Sequence, residues 1–255
     1  MSGQVLAELH GAVGVITVDR PPVNAYDAAT RDGIVAALAR FEANPEVRAI
    51  VLTATGTVFS AGQDIDEESV HAGGGIPYSV LRGFDQLCNA LTFSPKPTIA
   101  AINGAAIGGG LEVVLACDLR VAVDTAKLAA VGVKMGLLSS SQRLVRVVGE
   151  PQARLMAFTA RRVGAARALE IGLVHEVVPA ADLLEHALAL GREIAANAPL
   201  SVAHAKTAIQ RASEVPLLDG LRFQRELFLE LSQTEDHAEA VRAFREKRPP
   251  EFHGR

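Results

Sequence analysis

The sequence has few of the residues that build disulfide scaffolds or metal centres. Its only cysteines are Cys88 and Cys117 among 255 residues, so a disulfide framework is not expected and a reducing compartment is indicated. Neither a Cys-x-x-Cys pair nor a His-x-x-x-His pair occurs, which argues against a structural zinc site. Tryptophan is absent and aromatic residues make up 4% of the chain, which favours an aliphatic lining for any pocket. We therefore expect no metal.

Long apolar runs and an excess of basic residues are also missing. No segment reaches the roughly 18 consecutive apolar residues of a membrane span, and the first residues lack the basic and apolar regions of a secretion signal. The formal net charge of −4 argues against a general nucleic-acid-binding protein, because neutralising phosphates requires a basic face. These absences predict a cytoplasmic protein that binds no nucleic acid, and they leave a local basic pocket for a phosphorylated small molecule open.

The chain does have a large apolar fraction, 49%, in which strand-like and helical segments alternate. The pattern predicts a β-hairpin over 5–19, strands over 48–54, 98–102 and 118–123, and loops over 55–62 and 72–77. Helices are predicted over 24–42, 79–93, 152–159, 165–171, 180–197, 200–213, 216–231 and 236–247. This alternation is typical of an α/β fold. We place a boundary after Asn197, which gives an α/β core over 1–197 and a helical region over 198–255.

The most informative segment combines a strand, a triple glycine and a glutamate. An apolar run over 98–102 leads to Gly108, Gly109 and Gly110, which open a helical run with Glu112 in its first turn. Glycine lets a backbone approach a ligand closely, and a helix N-terminus offers unpaired N–H groups. Together they predict a site for an oxygen that gains negative charge during a reaction, with a carboxylate beside it.

Four segments, in chain order, resemble the motifs of one family. They are DRPPVNA at 19–25, FSAGQDI at 59–65, NGAAIGGGLE at 103–112, and FREKR at 244–248 followed by Pro250 and Phe252. These are similar to the RP…NA, FSAGxDL, NGxAxGGGxE and FxEKRxPxF motifs of the crotonase superfamily, also called the enoyl-CoA hydratase/isomerase family. The resemblance covers nearly the whole chain. It implies an α/β fold made of a spiral of ββα units, with a C-terminal helical oligomerisation region that forms a trimer or a dimer of trimers.

The resemblance also implies a substrate and the residues that bind it. Members of the family bind an acyl-CoA thioester, so coenzyme A enters as part of the substrate and no separate cofactor is expected. By motif position, the backbone N–H groups of Gln63 and Gly109 would form the oxyanion hole, and Glu112 would be the catalytic acid or base. Residues expected to contact the coenzyme A portion are Arg20, Ala61, Asp64, Ile65 and Lys247. Asp64 and Ile65 would lie beside the adenine, and Lys247 would reach a phosphate from a neighbouring subunit.

The sequence departs from the family at the second catalytic glutamate. The family segment usually reads FGxPExxLGLxPGGGGTQRL, whereas this chain reads LAAVGVKMGLLSSSQRL over 128–144. Aligning Lys134 and the final Gln-Arg-Leu places Gly132 at the glutamate position and replaces the Pro-Gly-rich loop with three serines, shortened by about three residues. Hydratases of the family use two glutamates for general acid–base work, and each such group contributes roughly 10²–10⁴-fold. Ordinary hydratase activity should therefore be weakened unless another group substitutes.

Several residues are candidates to replace the missing glutamate. They are Glu67, Glu68, His71, Tyr78 and the serines over 139–141, each of which also fits a surface or structural role. Three functions remain open: a hydratase/isomerase-type enzyme using Glu112, a decarboxylase or thioester hydrolase that needs the oxyanion hole but not both glutamates, and a non-catalytic acyl-CoA-binding protein.

Overall fold

The computed structural model describes residues 4–68 and 75–255 as an α/β fold with two sheets. The strands are β1 (Gln4–His10), β2 (Val13–Asp19), β3 (Ala49–Ala54), β4 (Val58–Ser60), β5 (Thr98–Ile102), β6 (Ala105–Ile107), β7 (Leu119–Val123), β8 (Lys127–Ala129), β9 (Val163–Gly164) and β10 (Glu176–Val178). The α-helices are α1 (Ala28–Ala43), α2 (Ile65–Glu68), α3 (Tyr78–Phe93), α4 (Gly109–Ala116), α5 (Ser141–Thr159), α6 (Ala165–Glu170), α7 (Leu183–Ala195), α8 (Pro199–Ala212), α9 (Leu217–Leu231) and α10 (Glu235–Glu246). Two 3₁₀ turns cover Gly132–Met135 and Ala180–Asp182.

The two sheets are built by a repeated β-β-α path. The larger sheet has the order β1-β2-β3-β5-β7-β10, antiparallel only between β1 and β2, and the smaller has the order β4-β6-β8-β9. Consecutive strand pairs β3-β4, β5-β6 and β7-β8 each place one strand in each sheet before the chain enters helical structure. This is the predicted spiral of ββα units. Every residue of β3 and β5 is buried, as parallel strands covered on both faces require.

The structure corrects the predicted start of the first helix. The helix was expected from Asn24, but α1 begins at Ala28 after Asp27, whose side chain accepts a hydrogen bond from the Thr30 N–H. Asn24 instead has a φ of 51°, and its side-chain amide donates to the carbonyls of Thr55 and Val58 at 2.9 and 2.7 Å. It therefore ties the first loop to the segment that leads into the site rather than capping a helix.

Other differences concern short elements and helix ends. The expected loop over 55–62 contains β4, and four further strands, β6, β8, β9 and β10, were not predicted because two or three residues carry no periodicity. The helix predicted over 152–159 begins earlier, at Ser141, and is kinked at Gly149. The helix predicted over 180–197 starts as a 3₁₀ turn. The glycine-rich loop predicted over 72–77 falls partly on 69–74, outside the described residues.

Helix α8, the first of the C-terminal helical region, lies against the core of its own chain. Lys206 of α8 is almost fully buried, and its Nζ lies 2.8 Å from an Asp118 carboxylate oxygen, Oδ2. The same oxygen accepts a hydrogen bond from the Thr98 N–H at 2.8 Å. Among residues 75–255, no strand follows β10, as expected for the helical region. In the part of the chain that the structure describes, no helix has the length and apolar character needed to cross a membrane.

We expect the Lys206→Met variant to be destabilised by roughly 1–3 kcal/mol, because it leaves the Asp118 carboxylate with only its Thr98 partners. Urea-induced unfolding gives the free energy of unfolding of this variant. The control is Lys127→Met, which changes an exposed lysine. Equal stability of the two variants would show that the ion pair does not hold α8 on the core.

Candidate active site

The two predicted oxyanion-hole donors lie on backbone segments that touch. A Cβ added to Gly62 would lie 2.8 Å from the Gly109 nitrogen, and one added to Gly109 would lie 3.1 Å from the Gln63 nitrogen. The first distance is shorter than real Cβ contacts and the second is tighter than most of them, so a side chain at 62 would collide with the Gly109 backbone and one at 109 would require its neighbours to shift. Gly62 also has a φ of 103°, which side chains rarely adopt. The close approach of the backbone at 62–63 to residue 109 thus depends on the absence of a side chain at Gly62.

Both N–H groups are turned away from internal hydrogen-bond partners. Tyr26 bridges the Gln63 segment by accepting from the Asp64 N–H and donating to the Gly62 carbonyl, so the Gln63 N–H points to the opposite side of that backbone. Gly109 is the first residue of α4, where N–H groups have no partner within the helix. Within the described ranges neither N–H donates to another residue. The pair can therefore donate to one external oxygen.

Glu112 stands in the first turn of α4 beside this pair. Its N–H donates to the Gly108 carbonyl at 3.1 Å, and its carboxylate oxygen Oε1 lies 3.2 Å from Nε of Arg143. Both side chains are mostly buried, with exposed fractions of 20% and 24%. Sequence analysis used Arg143 only to set the alignment and missed this contact.

The chain matches the family model described as enoyl-CoA hydratase/isomerase over residues 8–255. It belongs to this family, the crotonase superfamily. It is 40% identical over 253 residues to a Rhizobium meliloti protein named "Probable enoyl-CoA hydratase", covering 97% of each chain. It is 36% identical over 250 residues to the short-chain-enoyl-CoA hydratase of Clostridium acetobutylicum, covering 96% of this chain and 95% of that protein. A crystal structure of enoyl-CoA hydratase from Bacillus anthracis superposes with a TM-score of 0.92 at 31% identity and full coverage of both chains.

Gly132, aligned with the family's second glutamate, is enclosed by the serine loop. Its N–H donates to Oγ of Ser139 at 3.1 Å, and its carbonyl accepts from the Leu137 N–H at 2.8 Å. An added Cβ would lie 2.8 Å from the Ser139 nitrogen and 2.9 Å from its Oγ. The shortened loop therefore occupies the space in which a side chain at 132 would start.

The enclosed glycine lies next to the oxyanion segment. The Gly108 N–H donates to the Ala129 carbonyl at 2.9 Å, and a Cβ on Gly108 would lie 3.3 Å from the Val131 side chain. Gly132 follows Val131 directly, so the serine loop borders the same pocket region as Gly109 and Glu112.

Among the acidic and aromatic candidates to replace the missing glutamate, the structure gives Glu67 other partners. Glu67 accepts from the Ala28 N–H at 2.7 Å and pairs with Arg31 at 2.9 Å, so it fastens the start of α1. Tyr78 is 74% exposed at the start of α3. His71 and the side chain of Glu68 lie outside the described residues.

The three serines differ in what their hydroxyls contact. Ser139 is engaged with Gly132, and Ser141 donates to the Ser139 carbonyl at 3.4 Å. Ser140 is buried, and its hydroxyl has no hydrogen-bond partner among the described residues. Of the three, Ser139 lies nearest to the position of the missing glutamate.

Arg20, a predicted phosphate contact, is already paired with two carboxylates. Its Nε lies 3.1 Å from Asp27 and its Nη2 lies 2.6 Å from Asp64. Burial alone would raise the pKa of Asp27, but hydrogen bonds from Thr30 and the charge of Arg20 outweigh it and hold that pKa below its ordinary value. Arg20 thus joins the residue before α1, Asp27, to Asp64, which follows Gln63. Its contact with coenzyme A stays a prediction.

The other predicted coenzyme A contacts are divided between two regions. Ala61 and Ile65 are exposed and flank the Gln63 segment, whereas Asp64 is buried. Lys247 ends α10 with an exposed side chain and a φ of 57°. In the described parts of the chain, Lys247 makes no ion pair with the other predicted site residues, so its role also stays a prediction.

Buried thiol groups nearby are unsuited to nucleophilic roles. Burial, with a contribution from the negative charge of Glu112, raises the pKa of Cys88 far above its ordinary value. Burial also raises the pKa of Cys117 to about 12. Neither thiol forms appreciable thiolate at neutral pH, so neither is suited to act as a nucleophile.

We expect Gly132→Ala to destabilise the protein by roughly 1–3 kcal/mol, because its Cβ overlaps the Ser139 backbone and the loop must move. Gly164→Ala is the matched control, since a Cβ there meets nothing within 4 Å and its φ of −76° suits any residue. Thermal or denaturant unfolding measures both. A Gly132→Ala variant as stable as the control would contradict the enclosed geometry.

Proposed function

We propose that the protein is an enzyme that binds an acyl-CoA thioester and stabilises negative charge on the thioester oxygen. The observation that carries this proposal is the convergence of the unpaired Gln63 and Gly109 N–H groups beside Glu112. Two donors directed at one oxygen stabilise an enolate or a tetrahedral oxyanion more than they stabilise a neutral carbonyl. Relatives named as enoyl-CoA hydratases support an enzyme of this family.

Glu112 would supply the acid–base chemistry. Its carboxylate is the group placed to accept a proton from water or from the carbon next to the thioester. In hydration, the water oxygen bonds to the β-carbon, one water proton passes to Glu112, and the double-bond electrons move to the thioester oxygen as an enolate; the protonated Glu112 then has to deliver the proton to the α-carbon. Gly132 offers no group for a second proton transfer, so we expect hydration to be slower than in relatives with two glutamates.

The enclosed Gly132 favours a second candidate function within the same site. Decarboxylation or hydrolysis of a thioester requires an oxyanion hole but does not require two carboxylates on either side of one water. A protein that binds acyl-CoA without turnover is the remaining alternative, and it differs from both in releasing no product.

We expect Glu112→Gln to lower turnover by about 10²-fold or more, because the amide cannot accept a proton. Hydration of crotonyl-CoA, release of free CoA and release of carbon dioxide across an acyl-CoA panel measure which reaction is lost. Glu150→Gln, an exposed glutamate paired with Arg154 on α5, is the control. Unchanged turnover in Glu112→Gln would exclude it as the acid–base group, and binding without any turnover would leave the binding protein.

Gly132→Glu is not a simple restoration of the family's second carboxylate. A glutamate at 132 must displace the backbone at Leu138 and Ser139, so gain of hydratase activity requires the longer loop as well. We therefore expect Gly132→Glu alone to gain no hydratase activity, and a crotonyl-CoA hydration assay checks this.

We also propose that the helical region mediates assembly into a trimer or a dimer of trimers. Helix α9 exposes large apolar side chains, among them Leu217, Leu218, Leu221 and Phe228. Phe223, on the same helix, is covered by the Arg211 guanidinium at 4.3 Å from the ring centroid, so part of the face packs within its own chain. The exposed part is the surface expected to meet a second copy.

Light scattering at micromolar protein concentration should give the mass of three or six chains. The double variant Leu221→Asp, Phe228→Asp should have a lower mass, because it places two charges on the exposed apolar face of α9. Glu226→Gln, on the same helix with an exposed side chain, should leave the mass unchanged. A monomer in the unmodified protein would contradict the proposed assembly.

A further inference from the structure

The direction of the Gln63 N–H is set by a hydrogen bond on the opposite side of the same peptide unit. The Gly62 carbonyl and the Gln63 N–H belong to one planar trans peptide, so they point in opposite directions. The Tyr26 N–H donates to that carbonyl at 2.8 Å, and the Tyr26 carbonyl accepts from the Asp64 N–H at 3.2 Å. The position of the Tyr26 backbone therefore decides where this predicted oxyanion-hole donor points.

A buried arginine holds the Tyr26 backbone. Arg31 is 4% exposed, and its Nη1 donates to the Tyr26 carbonyl at 2.8 Å. The same nitrogen lies 2.9 Å from Oε2 of Glu67 in α2, whose other carboxylate oxygen accepts from the Ala28 N–H at 2.7 Å. One ion pair thus connects the Tyr26 carbonyl, the start of α1 and the helix that follows the Gln63 segment.

Neither the helix dipole nor burial favours an arginine at position 31. Arg31 lies in the first turn of α1, where the dipole favours acidic residues, and that turn contains none. Removing a guanidinium from water is costly, and apolar residues often replace buried ion pairs without loss of stability. Stability is therefore a weak reason for Arg31, whereas a contact with the Tyr26 carbonyl requires a donor at this place.

Helix α3 packs over the same guanidinium and reaches the second donor. A Cβ added to Gly83 would lie 3.2 Å from Nε of Arg31 and 3.5 Å from its Nη2, so glycine leaves room for the guanidinium. The next residue, Phe84, would have its ring 3.0 Å from a Cβ on Gly109, and its ring centroid is 6.4 Å from that of Tyr26. Consecutive residues of α3 thus contact Arg31 and the Gly109 side of the site.

We infer that Arg31 is a positioning residue, which aligns the Gln63 N–H with the thioester oxygen by holding the Tyr26 carbonyl. This inference rests on the proposed acyl-CoA function and concerns the orientation of one of its two backbone donors. Arg20 separately holds Asp64 at 2.6 Å, so loss of Arg31 tilts the peptide without releasing the segment. Misplacement by about 1 Å costs up to ~10²-fold in rate, and turnover should fall accordingly.

Infrared spectroscopy of a bound thioester measures the alignment independently of catalysis. Butyryl-CoA with a ¹³C-labelled carbonyl is saturated and cannot be hydrated, and hydrogen bonds to its oxygen lower the stretching frequency. We expect the unmodified protein to lower this frequency relative to free ligand. Arg31→Met should lose roughly half of the displacement, since one of two donors is misaligned. Its dissociation constant should change less than about threefold, because the neutral carbonyl gains little from the donors.

Matched variants assign the effect to the Tyr26 contact. Arg31→Lys keeps a charge for Glu67, but its side chain is too short to hold both partners, so it should retain only part of the displacement. Arg40→Met, which removes an exposed arginine of the same helix, should leave the frequency unchanged. Lys206→Met removes a buried ion pair outside the site and should also leave it unchanged, which separates misalignment from general destabilisation.

Full displacement in either Arg31→Met or Arg31→Lys would overturn the inference without touching the proposed function. Because each variant decides the question alone, Arg31→Lys remains a test if Arg31→Met does not fold. In the unmodified protein, failure to bind butyryl-CoA, or a bound carbonyl with the frequency of the free ligand, would instead contradict the proposed oxyanion site, and the inference would fall with it.

Discussion

The contact between the backbone at 62–63 and the start of α4 is the constraint on which the rest of the site depends. Glycine at 62 allows the two segments to approach, because a Cβ there would collide with the Gly109 nitrogen, and glycine at 109 avoids a tight contact with the Gln63 nitrogen. This approach fixes two N–H groups side by side without using any side chain. Because the donors belong to the main chain, the neighbouring side chains are free to vary, and the chemistry of the site is decided by what surrounds the pair.

Supporting contacts hold this backbone pair from both sides. On the Gln63 side, Ser60 accepts from the Gly62 N–H and donates to the Asn24 carbonyl, at 3.0 and 2.7 Å, and Arg20 spans Asp27 and Asp64. On the Gly109 side, Gly108 is anchored to β8 through the Ala129 carbonyl. The ββα spiral brings β4, β6 and β8 into one small sheet. The segments that follow β4 and β6 are the ones that contain Gln63 and Gly109.

The sequence predicted those parts of the site whose residues are neighbours in the chain. The triple glycine, the strand before it and Glu112 are adjacent in the chain, and the structure brings the FSAGQDI segment against Gly109, whereas the roles assigned to these residues stay predictions. Arg143 could not be found in this way, because its contact with Glu112 depends on the path of a loop whose length, but not direction, is visible in the sequence. The shortening by about three residues was the available signal.

The difference between local patterns and contacts that are distant in the chain also explains the errors in the predicted secondary structure. Long strands and helices were predicted because their periodicity extends over many residues, whereas β4, β6 and β8 are three residues long and are defined by pairing across the chain. Asn24 was included in the helix predicted over 24–42 from its apolar periodicity, but its amide donates to carbonyls more than 30 residues away. Tertiary contacts of this kind leave no local pattern.

Gly132 and the serine loop are best understood as one coupled change. The loop can close on position 132 only if that residue lacks a Cβ, because a Cβ there would overlap the backbone at Leu138 and Ser139. A side chain at 132 and a longer loop would therefore have to be introduced together. Substitutions that share a backbone shift are not additive, so neither change alone should convert this site into one with two glutamates. The departure expected from the sequence at position 132 thus involves the backbone of the loop as well as the residue itself.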